Sequence, residues 1–210
     1  LKLSSLSKFQ RSKSKRRIRM TYKFGFEIEG FYFPEGGITL PPKGYPTDDF
    51  PGLVEARTIG GGDLREQIYL LHSVKDFLKD ISWTTYEHKF SPLEKAKIRA
   101  RHYEKGGVVI NNIYGKSPKD LGSRTLASFQ INISLKTGKD KNDRDVYGVF
   151  DFPDMIRAFD EEFKDEIKAS GRQEGFYSIK ENCRFEYRSL PNFVGVIDPV
   201  ALVTRIKKCL

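Results

Sequence analysis

Between Lys23 and Gly30 the chain reads Lys-Phe-Gly-Phe-Glu-Ile-Glu-Gly, a strict alternation of apolar with small or charged residues. The pattern fits a β-strand and no helix, because successive side chains of a strand point to opposite faces. Phe24, Phe26 and Ile28 fall on one face; Gly25, Glu27 and Glu29 fall on the other. Two carboxylates thus stand side by side. Like charges that close raise each other's pKa unless a cation or arginines neutralise them. Two readings are open from this stretch: an antiparallel strand whose charged face lies in water, or a face that holds a cation.

Three further stretches share the design. Leu53-Val54-Glu55-Ala56-Arg57-Thr58 puts Glu55 and Arg57 on one face and Val54 and Ala56 on the other. Within Arg124 to Ser134, Phe129, Ile131 and Ile133 oppose Ser128, Gln130, Asn132 and Ser134. In Cys183 to Leu190, Arg184, Glu186 and Arg188 share one face. A face left merely to solvent would be rich in Lys and Thr. Here it is nearly all Glu, Arg and amide, groups that bind divalent cations, phosphates and carboxylates.

Helices separate these strands. Asp63 is a good N-cap, and Leu64, Ile68, Leu71, Val74 and Leu78 follow at helical spacing. Ser91-Pro92-Leu93-Glu94 is a capping box with proline at the first helical position. One long helix is expected from Pro153 to Gly171, with Met155, Ile156, Phe159, Phe163 and Ile167 as its apolar stripe, and a short one from Asp198-Pro199. Short strands are expected at Val108 to Ile110 and Tyr177 to Ile179, and polar or Pro/Gly-rich loops at Pro34 to Gly52 (with Asp48 and Asp49) and Thr137 to Asp145. Gly60-Gly61-Gly62 either makes a plain turn or cradles a phosphate before the helix it precedes. His72, His88 and His102 lie outside the four strands and read as ordinary surface or boundary residues.

The chain has 210 residues, 38% hydrophobic and 13% aromatic, enough for a real core and fitting one domain. Cys183 and Cys209 form neither a disulfide framework nor a metal-ligand spacing, so a reducing, cytoplasmic setting is expected. No apolar run reaches membrane-spanning length. The net charge is +9, but residues 1–19 hold eight basic residues and no acidic one; the remainder has 29 basic against 28 acidic residues. A basic arm can bind nucleic acid, yet the near-neutral remainder argues against a nucleic-acid surface on the domain. Lys15-Arg16-Arg17-Ile18-Arg19-Met20 back-translates as a purine-rich ribosome-binding sequence and a start codon. Residues 1–19 therefore read as a disordered, translated leader, and 20–210 as the domain.

Phe-Gly-Phe-Glu-Ile-Glu-Gly at 24–30, Gly-Leu-Val-Glu-Ala-Arg-Thr at 52–58, Ala-Ser-Phe-Gln-Ile-Asn-Ile-Ser at 127–134 and Arg-Phe-Glu-Tyr-Arg-Ser-Leu-Pro at 184–191 occur in order. Together they resemble the amidoligases, carboxylate–amine ligases of the glutamine synthetase and glutamate–cysteine ligase superfamily, and most of all the compact amidoligase-like proteins of bacteriophages. The resemblance implies an α+β fold, an antiparallel sheet curved into a half-barrel with helices on its outer face. It implies ATP and Mg²⁺ in the cytoplasm of a bacterial or phage-infected cell, with a carboxylate, small or peptidic, activated as an acyl phosphate and captured by an amine. By position, Glu27, Glu29 and Glu55 would hold metal ions, with Glu186 a further candidate. Arg184 and Arg188 would neutralise the transferring phosphoryl group. Arg57, Arg124 and Arg172 are candidates for phosphate or substrate carboxylate, and Gln130, Asn132 and Ser134 for cofactor contacts.

The family usually carries histidines where Gln130 and Asn132 stand. Amides are poorer ligands for a divalent cation, so the alternative is a catalytically degenerate relative that binds a nucleotide, peptide or protein.

Overall fold

The computed structural model describes residues 20–47, 50–101, 109–121, 124–180 and 183–210. The leader, Asp48, Asp49, His102 and Val108 lie outside them. The described residues form a mixed α+β fold: a large antiparallel sheet, five α-helices and a 3₁₀ turn. The strands are β1 (Thr21–Tyr32), β2 (Val54–Arg57), β3 (Ile81–Ser82), β4 (Glu87–Lys89), β5 (Asn111–Asn112), β6 (Arg124–Leu126), β7 (Ser128–Lys139), β8 (Asp145–Gly148), β9 (Phe176–Lys180) and β10 (Arg184–Pro191). The helices are α1 (Leu64–Phe77), α2 (Pro92–Arg101), α3 (Phe152–Glu162), α4 (Lys164–Ser170) and α5 (Pro199–Lys208).

The sheet order is β2-β1-β7-β10-β9-β5, with β3 on β1 and β8 on β7; β4 and β6 pair apart from it. No closed barrel is seen among the described residues. Two twelve-residue strands, β1 and β7, lie side by side at its centre. Their alternation puts Phe24, Phe26, Ile28, Phe129, Ile131 and Ile133 on one face, all buried. Phe185 and Tyr187 of β10 join them. Against this face pack Leu64, Ile68 and Leu71 of α1, Phe159 of α3, Ile167 of α4 and Leu202 and Ile206 of α5. Burying each such side chain contributes about 1.5–3 kcal/mol. The apolar periodicities of strand and helix thus meet in one core, while the other face is left for polar groups.

Local signals behave as expected at the helix starts. Asp63 accepts from the Arg65 N–H at 2.9 Å. Ser91 and Glu94 close the capping box, and Asp198 accepts from Val200 and Ala201. Gly171 ends α4 in the left-handed conformation.

Other expectations are corrected. The single helix from Pro153 to Gly171 is two, bent at Phe163 (φ −112°, ψ 20°). Backbone hydrogen bonds from Phe163 to Phe159 and from Ile167 to Phe163 cross the break. The bend lets both Phe159 and Phe163 be fully buried. The loop expected at Thr137–Asp145 is shorter than expected, because β7 continues to Lys139 and pairs with β8, which begins at Asp145. Polar side chains on both faces conceal that alternation. Only 140–144 turns, held by Asp140 accepting from Asn142 and Arg144. Val109 and Ile110 are exposed coil, and the short strand falls at Asn111–Asn112 instead. Arg124 belongs to β6, on the separate two-stranded sheet, and not to the strand carrying Gln130. Among the described residues no helix is long and apolar enough to cross a membrane.

Candidate functional site

The polar face of the sheet is set by register. Across β1 and β7, Glu27 lies opposite Gln130, Gly25 opposite Asn132, and Lys23 opposite Ser134. Across β1 and β2, Glu27 lies opposite Arg57 and Glu29 opposite Glu55. Asn132 lies opposite Glu186, which lies opposite Ser178 of β9. Four strands far apart in the chain therefore bring Glu27, Glu29, Glu55, Gln130, Asn132 and Glu186 onto one surface.

The four carboxylates have different partners. Glu29, buried, accepts from the Ser128 N–H at 2.6 Å and from Gln130 Nε2 at 3.2 Å. Glu55, also buried, accepts from Arg57 at 2.8 Å. Glu186, with no exposed surface, receives the Ser178 hydroxyl at 2.9 Å, the Lys180 ammonium at 3.2 Å and the Arg188 guanidinium. Glu27 receives one side-chain amide, Asn132 Nδ2, at 3.3 Å. Burial holds the Glu27 carboxyl above its ordinary range, and the Glu186 charge adds to this; Arg57, Lys180 and Arg188 oppose it. The like charge raising Glu27 is thus that of Glu186, two strands away in the sheet.

Among the described residues no three Asp, Glu, His or Cys side chains converge as a ready-made metal set. The oxygen donors on this face are mixed. Gln130 turns its amide nitrogen to Glu29 and Ser128, as it must, because a carboxylate only accepts. Its oxygen Oε1 is then left buried without a hydrogen-bond partner, as is Oδ1 of Asn132, whose nitrogen faces Glu27. A buried acceptor left unpaired costs about 1–3 kcal/mol. Two such atoms beside an under-partnered carboxylate are the feature of this face that needs explaining.

The arginines separate into groups. A register shift between Tyr187 and Leu190 makes a β-bulge in β10. The extra residue turns Leu190 into the core and frees backbone carbonyls at Arg188 and Ser189. Arg172 supplies their donors, Nη2 to Arg188 O at 2.8 Å and Nε to Ser189 O at 3.2 Å. Burial weakens its hold on its proton, and the Glu29 charge partly restores it. Arg172 therefore braces the strand that carries Arg188. Arg57 is mostly exposed and tied to Glu55. Arg124 pairs with Glu87 at 3.3 Å and lines a separate cavity with Phe90 and Ile98. Arg184 and Arg188 line different cavities.

One cavity, about 260 Å³, is lined by Ile110, Leu121, Leu126 and Phe176, with Arg172, Arg188 and Lys119. The other, about 390 Å³, is lined by Lys23, Gly25, Gly60, Gly61, Asn132, Ser134, Tyr147 and Arg184. Gly60 and Gly61, both at positive φ, turn the chain beside this cavity. Reading the sequence singles out neither Lys23, Tyr147, Ser178 nor Lys180. Lys23 is in principle accessible, since it shares parity with Glu27 and Glu29. Tyr147 is hidden by the polar hairpin, and Lys180 by the shortness of its strand.

The two described histidines stay outside. His72 lies on α1, its imidazole pushed down in pKa by burial, and His88 packs edge-on against Phe31 and Phe90. Comparison of the chain with protein-family models, with curated protein sequences and with solved structures finds no match.

Proposed function

We propose that this chain is an ATP- and Mg²⁺-dependent carboxylate–amine ligase, of amidoligase type, working on the polar face of a sheet curved into a half-barrel. The observation that carries the reading is the buried, unpartnered oxygen of Gln130 directly across the ladder from Glu27, whose own carboxyl is under-solvated. A hard cation relieves both, and carboxylate and amide oxygens are the donors Mg²⁺ accepts while keeping several waters. Glu27 and Gln130 would hold it, with Asn132 and Glu29 beside them. When bound, the ion supplies charge compensation for phosphate oxygens.

The chain's own groups suit the rest. Arg188, braced by Arg172, stands between the carboxylate cluster and the apolar-lined cavity. A nucleotide base in that cavity would bring its phosphates toward Arg188, whose role is electrostatic. The carboxylate and the amine, small molecules or peptides, would approach along the polar face.

A second reading has its own support. Glu186 and Glu55 are already neutralised by internal cations, and amides stand in place of histidines. On that reading the chain keeps the fold and binds a nucleotide, peptide or protein without turnover.

Calorimetric titration of the full chain with a non-hydrolysable ATP analogue, with and without Mg²⁺, tests both. Metal-dependent binding, followed by phosphate release with some acid–amine pair and its loss by at least about 100-fold in Glu27→Gln, is the ligase outcome. Binding that ignores Mg²⁺ and yields no phosphate supports the second reading and sinks the first.

A further inference from the structure

The ion pairs on the polar face use up some cations and leave others. Arg57 serves Glu55, and Lys180 and Arg188 serve Glu186. The cations that temper Glu27 are Arg57, Lys180 and Arg188. Lys23 and Arg184, on the same face, have no carboxylate within ion-pairing distance among the described residues. Asp145 lies within electrostatic reach of Lys23 but is held by Lys136 at 2.5 Å. Both cations line the 390 Å³ cavity, and none of its lining residues is acidic.

The cavity is also shaped. Gly60 and Gly61 both hold positive φ, 81° and 76°. A Cβ on Gly25 would come within 3.0 Å of the Gly60 Cα, so the turn lies directly on β1. Ser134 and Tyr147 add hydroxyls, and Asn132, only 4% exposed, lines the cavity with its oxygen unpartnered. That oxygen requires a donor.

We propose that this cavity binds a phosphate-class oxyanion carried by the substrate, not by the nucleotide: Lys23 and Arg184 hold the dianion, and a hydroxyl or amine of the same molecule donates to Asn132 Oδ1. Arginine and lysine together match a dianion better than a carboxylate. The volume suits a small molecule. The smaller, apolar-lined cavity is the better place for a base, which leaves this one to the second ligand. Asn132 links the two regions, because its nitrogen holds Glu27. Calling the ligand a substrate rests on the ligase reading; the oxyanion site does not.

The test is amide NMR on the full chain, titrated with inorganic phosphate and, separately, acetate. Saturable shifts at Gly25, Gly60 and Gly61 are expected with phosphate, at least tenfold weaker with acetate. Lys23→Met and Arg184→Gln should each weaken phosphate binding at least tenfold, whereas Lys168→Gln, on α4 across the core, should not. The imidotriphosphate analogue of ATP should leave phosphate in place. Its displacement of phosphate from these amides would hand the cavity to the nucleotide tail and overturn the substrate assignment. No saturable shift in the unaltered chain, or acetate binding as tightly as phosphate, would overturn the site itself. Phosphate binding in a protein that releases no phosphate with any acid–amine pair keeps the oxyanion site and overturns the ligase reading alone.

Discussion

Glu186 and Glu27 occupy the same face of one sheet, two strands apart, and differ in almost everything but chemistry. Glu186 has no exposed surface and is met by a hydroxyl, an ammonium and a guanidinium. Glu27 is met by one amide, and its proton is held more tightly than usual. A buried carboxylate whose charge is matched is part of the scaffold. One left short of donors is poised for something not made by the chain. The contrast separates bracing from binding better than residue type does.

Removing the braced partner should have the largest effect. Glu186→Gln leaves Lys180 and Arg188, both largely covered, without the carboxylate that pairs with each of them. A loss of about 3 kcal/mol in urea unfolding is expected. A change below about 1 kcal/mol would mean that solvent already screens this corner.

Arg172→Ala comes next. It strips the donors from the two carbonyls of the bulge, and hydrogen bonds to charged groups are worth about 1.5–3 kcal/mol. A loss of roughly 2 kcal/mol is expected, together with weaker nucleotide binding through a displaced Arg188. Calorimetric titration beside a melting curve separates the two effects.

Glu27→Gln should sharpen the comparison by its sign: stability at neutral pH rises or holds. The folded chain binds the Glu27 proton more tightly than the unfolded chain does. Its contribution is therefore fully present below the ordinary carboxylate value of 4.5 and is lost as pH rises through the raised one. Urea melts from pH 4 to pH 7 should show a fall in stability that is smaller in the variant. Added Mg²⁺ at pH 7 should stabilise the unaltered chain and not the variant. A steeper fall in the variant would place the raised proton elsewhere.

Arg57→Gln should do least. Its side chain is 63% exposed, and such pairs contribute about 1 kcal/mol or less. A larger loss would mark Glu55 as a second scaffold carboxylate.

Much of the core was legible because period-two alternation is local. Phe24, Phe26, Ile28, Phe129, Ile131 and Ile133 need only a strand and a buried face, and they are buried. The capping residues Asp63, Ser91 and Asp198 act within three residues of themselves. The β7–β8 hairpin was not legible, because an edge with polar side chains on both faces carries no alternation. Nor was the bend at Phe163, since the apolar stripe of a bent helix has the same spacing as that of a straight one.

The sequence by itself determined the polar side of each strand: Glu27 with Glu29, Glu55 with Arg57, Gln130 with Asn132, and Glu186 with Arg184 follow from parity within each strand. Tertiary structure alone decided which of them meet. Register pairs Glu27 with Gln130, brings the Glu186 charge to bear on Glu27, and spends Lys180 and Arg188 on Glu186 while leaving Lys23 and Arg184 to a cavity. Parity is a property of one strand, whereas register and the bulge belong to pairs of strands. Electrostatic partners on a sheet are chosen by the second.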